Sequence, residues 1–85
     1  AAVAGPSGVR VNVIAPGNII FPDGDWEKRV NGEKGTSVRR WIKREVPLQR
    51  FGKPEEIGSA AAYVLSPRAS FMTGAIIPVD GGQDK

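Results

Sequence analysis

GVRVNVIAPG, Gly8–Gly17, and TGAIIPVDGG, Thr73–Gly82, carry the marks of two β-strands far apart in the chain. In the first, Val9, Val11 and Val13 alternate with Arg10, Asn12 and Ile14. The run is rich in β-branched residues and is bounded by Gly8 and by Pro16-Gly17, which is the pattern of a strand. In the second, a turn at Thr73-Gly74 leads into apolar Ala75–Val79, and Asp80-Gly81-Gly82 then turns the chain out. Pro78 lacks a ladder N–H, which suits a sheet edge or a strand end. The long, helix-containing segment between the two strands excludes a hairpin and predicts parallel pairing through a crossover. Parallel strands are normally covered on both faces, and two alone make a poor sheet. The apolar residues of Val9–Ile14 and Ala75–Val79 therefore call for neighbours beyond this chain.

Three helices are expected between the strands, making the fold class α/β. Pro22 and Gly24 interrupt regular structure after the first strand. Asp25 is then a candidate N-cap for a short helix with Trp26 and Val30 on one face. Asn31-Gly32 and Lys34-Gly35 end it. Thr36 or Ser37 is the expected cap of a second helix, with Val38, Trp41 and Ile42 at i, i+3 and i+4 and Arg39, Arg40, Lys43 and Arg44 on the opposite face; Pro47 stops it. The third helix has the strongest start signal: Pro54 at its first position and Glu55 and Glu56 near the positive end of the dipole. Ile57, Ala60, Ala61, Val64 and Leu65 form its apolar stripe, and Pro67 closes it. Ala1–Ala4 reads as the end of a further helix, followed by a turn over Gly5–Gly8.

Composition narrows the chemistry. With 85 residues, 40% hydrophobic and 25% charged, the chain falls in the ordinary range of a folded soluble domain, which argues against disorder. It has no cysteine and no histidine. That removes disulfides, thiolate chemistry, Cys/His zinc sites and the commonest general base, and no carboxylates cluster to hold a metal. No run is long and apolar enough to span a membrane, and no leader pattern opens the chain, so a cytoplasmic protein is expected. The net charge of +3 is spread along the chain except at Arg39–Arg44. This is too mild, and too little interleaved with aromatics, for a nucleic-acid surface.

Between the strand segments lies PLQRFGKPEEIG, Pro47–Gly58. The three segments, in this order, resemble the C-terminal part of the short-chain dehydrogenase/reductase family, and the likeness covers nearly all of 8–82. The resemblance implies the C-terminal portion of a Rossmann-type, doubly wound parallel sheet, with residues 1–85 a C-terminal fragment of one such domain. It also implies an NAD(P)-dependent oxidoreductase, of the kind that acts on 3-oxoacyl thioesters, moving a hydride between a nicotinamide and a carbonyl or alcohol. The family's Pro-Gly-x-Ile-x-Thr segment lies against the nicotinamide. Here it reads Pro16-Gly17-Asn18-Ile19-Ile20-Phe21, so Pro16, Gly17, Asn18 and Ile19 are the implied cofactor-binding residues, with the backbone of Ile19 as partner of the carboxamide. Phe21 departs from the family's Thr: a phenyl ring offers no hydroxyl and adds an apolar wall. Ile20, Phe21 and Trp26 are the implied substrate-lining residues. The cofactor is NAD or NADP, because the strand end that separates them is not in this chain.

The family's catalytic Ser, Tyr and Lys have no counterpart here. Tyr63 has Pro67, not Lys, four residues on, and Thr73-Gly74 lacks the rest of a phosphate-binding glycine loop, with Pro78 at its second glycine. No catalytic residue is assigned, the chain alone is expected to be inactive, and it reads as an excerpt of a longer protein. The family likeness further implies a homo-oligomer formed through 54–82 and a small carbonyl or alcohol substrate, which an acyl carrier could present. The basic helix face is open to two readings, a solvated surface or a lid that favours an anionic substrate or acidic carrier. Arg50 either reaches an anion or anchors its loop through carbonyls. Trp26 and Trp41 fit packing better than base stacking, and Asp80 fits a turn or interface better than an acid catalyst. A non-catalytic oligomerisation or binding fragment is the alternative to the enzyme.

Overall fold

The computed structural model describes residues 5–83, so the helix end expected at Ala1–Ala4 lies outside the described residues. After a short 3-10 turn at Gly5–Ser7 come β1 (Val13–Pro16), α1 (Asp25–Val30), α2 (Gly35–Glu45), α3 (Pro54–Leu65), a second 3-10 turn at Pro67–Ala69, and β2 (Ile76–Val79). β1 and β2 pair in parallel, with Val13 opposite Ile76 and Pro16 opposite Val79. α3 packs on both strands.

Both strands are shorter than the sequence suggests. Residues 9–12 precede β1 and are joined to the approach to β2 partly through side chains. Val11 N–H donates to Thr73 Oγ1 at 3.1 Å, and Asn12 accepts Ala75 N–H at 3.0 Å while its amide donates to the Met72 carbonyl at 3.1 Å. Arg10 also donates to the Met72 carbonyl, at 3.1 Å. The alternation therefore runs with the polar residues inward: Arg10 and Asn12 are half-buried, whereas Val9, Val11, Val13 and Ile76 are exposed. This leaves an apolar sheet face uncovered, the situation expected of strands that belong to a larger parallel sheet.

Two helix starts differ from expectation. α1 is capped by Gly24, whose carbonyl accepts the Lys28 N–H at 3.1 Å, and Asp25 is its first helical residue. α2 starts at Gly35 with Lys34 as cap, ahead of Thr36 and Ser37. Gly35 thus opens a helix rather than ending one. The turn from α1 presses it against the Val30 carbonyl, where a Cβ would collide, so the helix begins at the point of closest approach. α3 starts as expected at Pro54, and the Glu56 carboxylate accepts the Lys53 N–H at 2.9 Å. Leu65, expected on the buried stripe, is 81% exposed, because the face of α3 turned to the strands centres on Val64. The buried apolar residues form two small groups, Ile42 and Val46 at the base of α2, and Val64 and Ala69 beneath α3.

Candidate nicotinamide-side site

The site is assembled where three loops meet at the carboxyl ends of β1 and β2, the position at which open α/β sheets bind ligands. Gly17 leaves β1 with its N–H on the Val79 carbonyl at 3.0 Å. It packs so closely that a Cβ would lie 2.7 Å from both Cα and Cβ of Asp80. Only glycine fits at that spacing. Beyond it, Gly52 N–H donates to the Asn18 carbonyl and Ile20 N–H donates to the Gly52 carbonyl, both at 2.9 Å. These two bonds form a parallel bridge between Ile19 and Gly52. In such a bridge the flanking residues make the bonds, so Ile19's own N–H and C=O are turned to the other side, where they bond to no other described residue. One donor and one acceptor side by side on a fixed backbone are complementary to a planar primary amide, whose carbonyl accepts and whose NH2 donates.

Arg50 holds the second loop. Its guanidinium makes a two-pronged contact with Glu56, at 2.8 and 2.9 Å, and donates to the Phe51 carbonyl at 3.0 Å. The hydrogen bonds from Arg50, then the one from Lys53 N–H, lower the Glu56 carboxyl from its ordinary 4.5 to about 2. The same contact raises Arg50. Of the two readings of Arg50, anchoring its loop is the one its contacts satisfy.

The expected site residues divide between two cavities. Asn18 and Ile19 line one of about 530 Å³, with Leu48, Arg50, Asp80 and Gly81 also in its wall. Asn18 is oriented by its amide, which donates to Gln83 Oε1 at 2.6 Å. Ile20 and Phe21 line a second, of about 310 Å³, with Pro22, Glu27, Lys53 and Glu55. Pro16 is the last residue of β1, and Gly17 joins it to this loop. Trp26 lines neither cavity: its ring stacks on Trp41 with centroids 5.5 Å apart, meets Phe51 at 5.1 Å, and carries the Arg29 guanidinium at 5.1 Å. Asp80 makes a turn, Oδ1 accepting the Gly82 N–H at 2.9 Å, while Oδ2 is buried with no partner among the described residues. Among the described residues no acidic group is large enough to suggest a metal site, and no helix is long and apolar enough to cross a membrane.

Sequence reasoning did not single out Gly52 or Phe51. A glycine inside a loop that is otherwise capped by Pro47 and Pro54 was the available signal, since it marks a close approach of backbone.

The family model for enoyl-(acyl carrier protein) reductase matches residues 1–84. The chain belongs to the short-chain dehydrogenases/reductases. It is 42% identical over 81 residues to the isoepoxydon dehydrogenase PatN of Aspergillus clavatus, covering 92% of this chain and 29% of that protein. It is 45% identical over 75 residues to glucose 1-dehydrogenase 2 of Bacillus subtilis, covering 88% of this chain and 27% of that protein. The chain thus spans less than a third of the length of these relatives. Among solved structures, a 4-hydroxyisoleucine dehydrogenase complexed with NADH superposes with a TM-score of 0.81 at 32% identity, covering 96% of this chain and 32% of that one. A 3-oxoacyl-[acyl-carrier protein] reductase from Brucella melitensis gives 0.78 at 33% identity, covering 96% and 28%. The parallel α/β arrangement is that of Rossmann-fold dehydrogenases.

Proposed function

We propose that this chain supplies the nicotinamide-side loop, the substrate lid and a subunit-facing surface of an NAD(P)-dependent oxidoreductase acting on a carbonyl or alcohol. The observation that carries the reading is the Ile19–Gly52 bridge, which fixes Asn18 and Ile20 and leaves the N–H and C=O of Ile19 together without a partner among the described residues. The likeness to a dehydrogenase complexed with NADH supports it. When bound, the nicotinamide supplies the hydride donor or acceptor. The residues of this chain orient it: Ile19 offers one hydrogen bond in each direction to the carboxamide, Gly17 brings the loop flush against the end of β2, and Asn18 is steadied by Gln83. Acid–base groups come from residues outside this chain, since Tyr63 lies on α3, half exposed and away from both cavities.

Ile20 and Phe21 form the apolar side of the substrate cavity, beside Glu27 and Lys53. The helix pair α1–α2 covers the substrate, and Arg39, Arg40, Lys43 and Arg44, all exposed, turn one arc of like charge outward. Arg39/Lys43 and Arg40/Arg44 are i, i+4 pairs of the same sign, an arrangement that slightly destabilises a helix and favours an anionic substrate or acidic acyl carrier. Exposed Tyr63, Leu65 and Phe71, at the end of α3 and after the second 3-10 turn, offer the surface for a second subunit.

The test is amide hydrogen exchange on the full-length protein with and without saturating NADH and NADPH. Exchange of Ile19 N–H slows about tenfold or more on binding, while Gly52 N–H, already bonded, changes little. An Ile19 amide that stays in fast exchange at saturation would falsify the assignment. The dinucleotide that binds more tightly identifies the cofactor.

A further inference from the structure

α1 and α2 pack on each other, and neither packs on the sheet or on α3. The base of α2 is seated through Val46, which is 3% exposed and lies under Gly81. The far side of the pair, at α1, meets the rest of the chain through a different contact, Trp26 against Phe51, at 5.1 Å between centroids and 49° between planes. Trp41 backs Trp26 in a near-parallel stack, so both helices are committed to this contact. The chain enters the pair through Asp23 at φ 63° and leaves it past Gln49 at φ 62°. These two are the non-glycine residues with positive φ among the described residues. Such conformations are disfavoured for side chains with a Cβ, and they bracket the helix pair on both sides.

Phe51 is followed directly by Gly52. The Phe51 ring holds the helix pair, its carbonyl is held by Arg50, and the next residue donates and accepts the two hydrogen bonds that fix Asn18 and Ile20 around Ile19. Gly52 also lies close to the Ile19 side chain, since a Cβ on it would meet Ile19 Cδ1 at 2.7 Å.

We infer that Phe51 is a positioning residue, coupling the placement of the α1–α2 pair through Gly52 to the backbone of Ile19. The inference rests on the reading of Ile19 as the nicotinamide partner and α1–α2 as the lid. On it, a substrate that seats the lid also sets the donor–acceptor pair, and a lid that swings away loosens it. Phe51 acts through Gly52 and touches neither cofactor nor substrate.

Hydrogen exchange in the full-length protein tests the coupling without relying on activity. Trp26→Ala removes an aromatic contact worth about a three- to tenfold shift in a local opening equilibrium. Exchange at Ile20 and Gly52, neither in ring contact with Trp26, rises by about that factor, Phe51→Ala gives the same pattern, and Trp26→Phe restores protection to within about twofold. Faster exchange confined to α1 and α2, with Ile20 and Gly52 unchanged, overturns the coupling. So does acceleration that extends equally to Val64 on α3, which would mark general loosening. Titration of the unaltered protein with NADH is read separately: coupled exchange in a protein that binds no dinucleotide leaves the coupling standing and removes the nicotinamide reading. Where the protein binds, Trp26→Ala and Phe51→Ala weaken NADH binding about threefold or more, and an unchanged affinity overturns the link to Ile19.

Discussion

Gly17→Ala puts the packing of the candidate site to a direct test. The new methyl would sit 2.7 Å from both Cα and Cβ of Asp80, about 1 Å inside ordinary carbon–carbon contact. Asp80 Cα is backbone, so no side-chain rotation relieves the clash; the ends of β1 and β2 must part. Parting them by that much breaks the 3.0 Å bond from Gly17 N–H to the Val79 carbonyl, at a cost of about 1 kcal/mol, in addition to about 1–3 kcal/mol of overpacking. Stiffening of the unfolded chain returns about 0.4–1 kcal/mol. The net loss is about 1–3.6 kcal/mol, read as a lower urea midpoint of the full-length protein at constant slope. Gly52→Ala is the internal comparison. Its methyl would also meet an atom at 2.7 Å, but that atom is Ile19 Cδ1, the tip of a side chain that can rotate. Its cost is about 1 kcal/mol or less. NADH affinity should fall in both variants, more in Gly17→Ala. If Gly17→Ala is as stable as the parent, or if Gly52→Ala is the more damaging of the two, the close approach of Gly17 to Asp80 is not what holds this corner together.

Glu56, held at about 2 by Arg50 and the Lys53 N–H, binds fewer protons in the folded than in the unfolded chain between pH 4.5 and 2. Its contribution to stability is therefore complete above that window and disappears as pH falls through it. The stability difference between the parent and Glu56→Gln should shrink toward zero over the same interval, and a difference independent of pH refutes the Arg50–Glu56 contact. Phe71, fully exposed, and Leu65, 81% exposed, should matter to assembly rather than folding: Leu65→Asp with Phe71→Asp lowers the sedimentation mass of the full-length protein while leaving its far-UV circular dichroism unchanged, and an unaltered mass removes this surface from the interface. For an anionic thioester substrate, KM should rise with ionic strength between about 0.05 and 0.5 M salt. Arg39→Glu with Lys43→Glu should flatten that dependence, and a KM indifferent to salt in the parent excludes the charged-lid reading.

The parts of the fold legible in the sequence are those whose cause is local. The β-branched alternation of 9–14, the apolar run 75–79 and the distance between them lead to a parallel pair, and Pro54 with two glutamates marks the start of α3. Cap positions failed where tertiary contact decides. Asp25, Thr36 and Ser37 are all sound N-cap residues, yet the tight turn from α1 forces α2 to start at Gly35, and the carbonyl of Gly24 takes the first bond of α1. The inward facing of Arg10 and Asn12 was equally hidden. The carbonyls they bond, at Met72 and Ser66, follow them by more than fifty residues and come near only when α3 has packed.

The candidate site shows the same division more sharply. The likeness to the family's Pro-Gly-x-Ile-x-Thr segment is what points to Asn18 and Ile19, and to Ile20 and Phe21 beyond them, and the structure puts this loop after the carboxyl end of β1, where doubly wound sheets bind ligands. Periodicity cannot show that a glycine thirty-three residues beyond Ile19 would bridge to it, since a single bridge leaves no repeating pattern in either segment. That bridge decides what the loop can do. Without it, Pro16-Gly17 would open a mobile loop whose amides turn to water; with it, the bonds of Asn18 and Ile20 are spent inward and those of Ile19 are directed out together. On the proposed reading, a carboxamide would bind with little further ordering, because the donor and acceptor are already set by the same two hydrogen bonds. The apparent departure at Phe21 is consistent with this arrangement. Its ring lies over Gly24, where a Cβ would meet it at 2.8 Å, and it lines the neighbouring cavity with Ile20. On the proposed reading, Phe21 gives an apolar wall where the resembling family has a hydroxyl, and orienting a carboxamide would fall to the backbone that Gly52 holds in place.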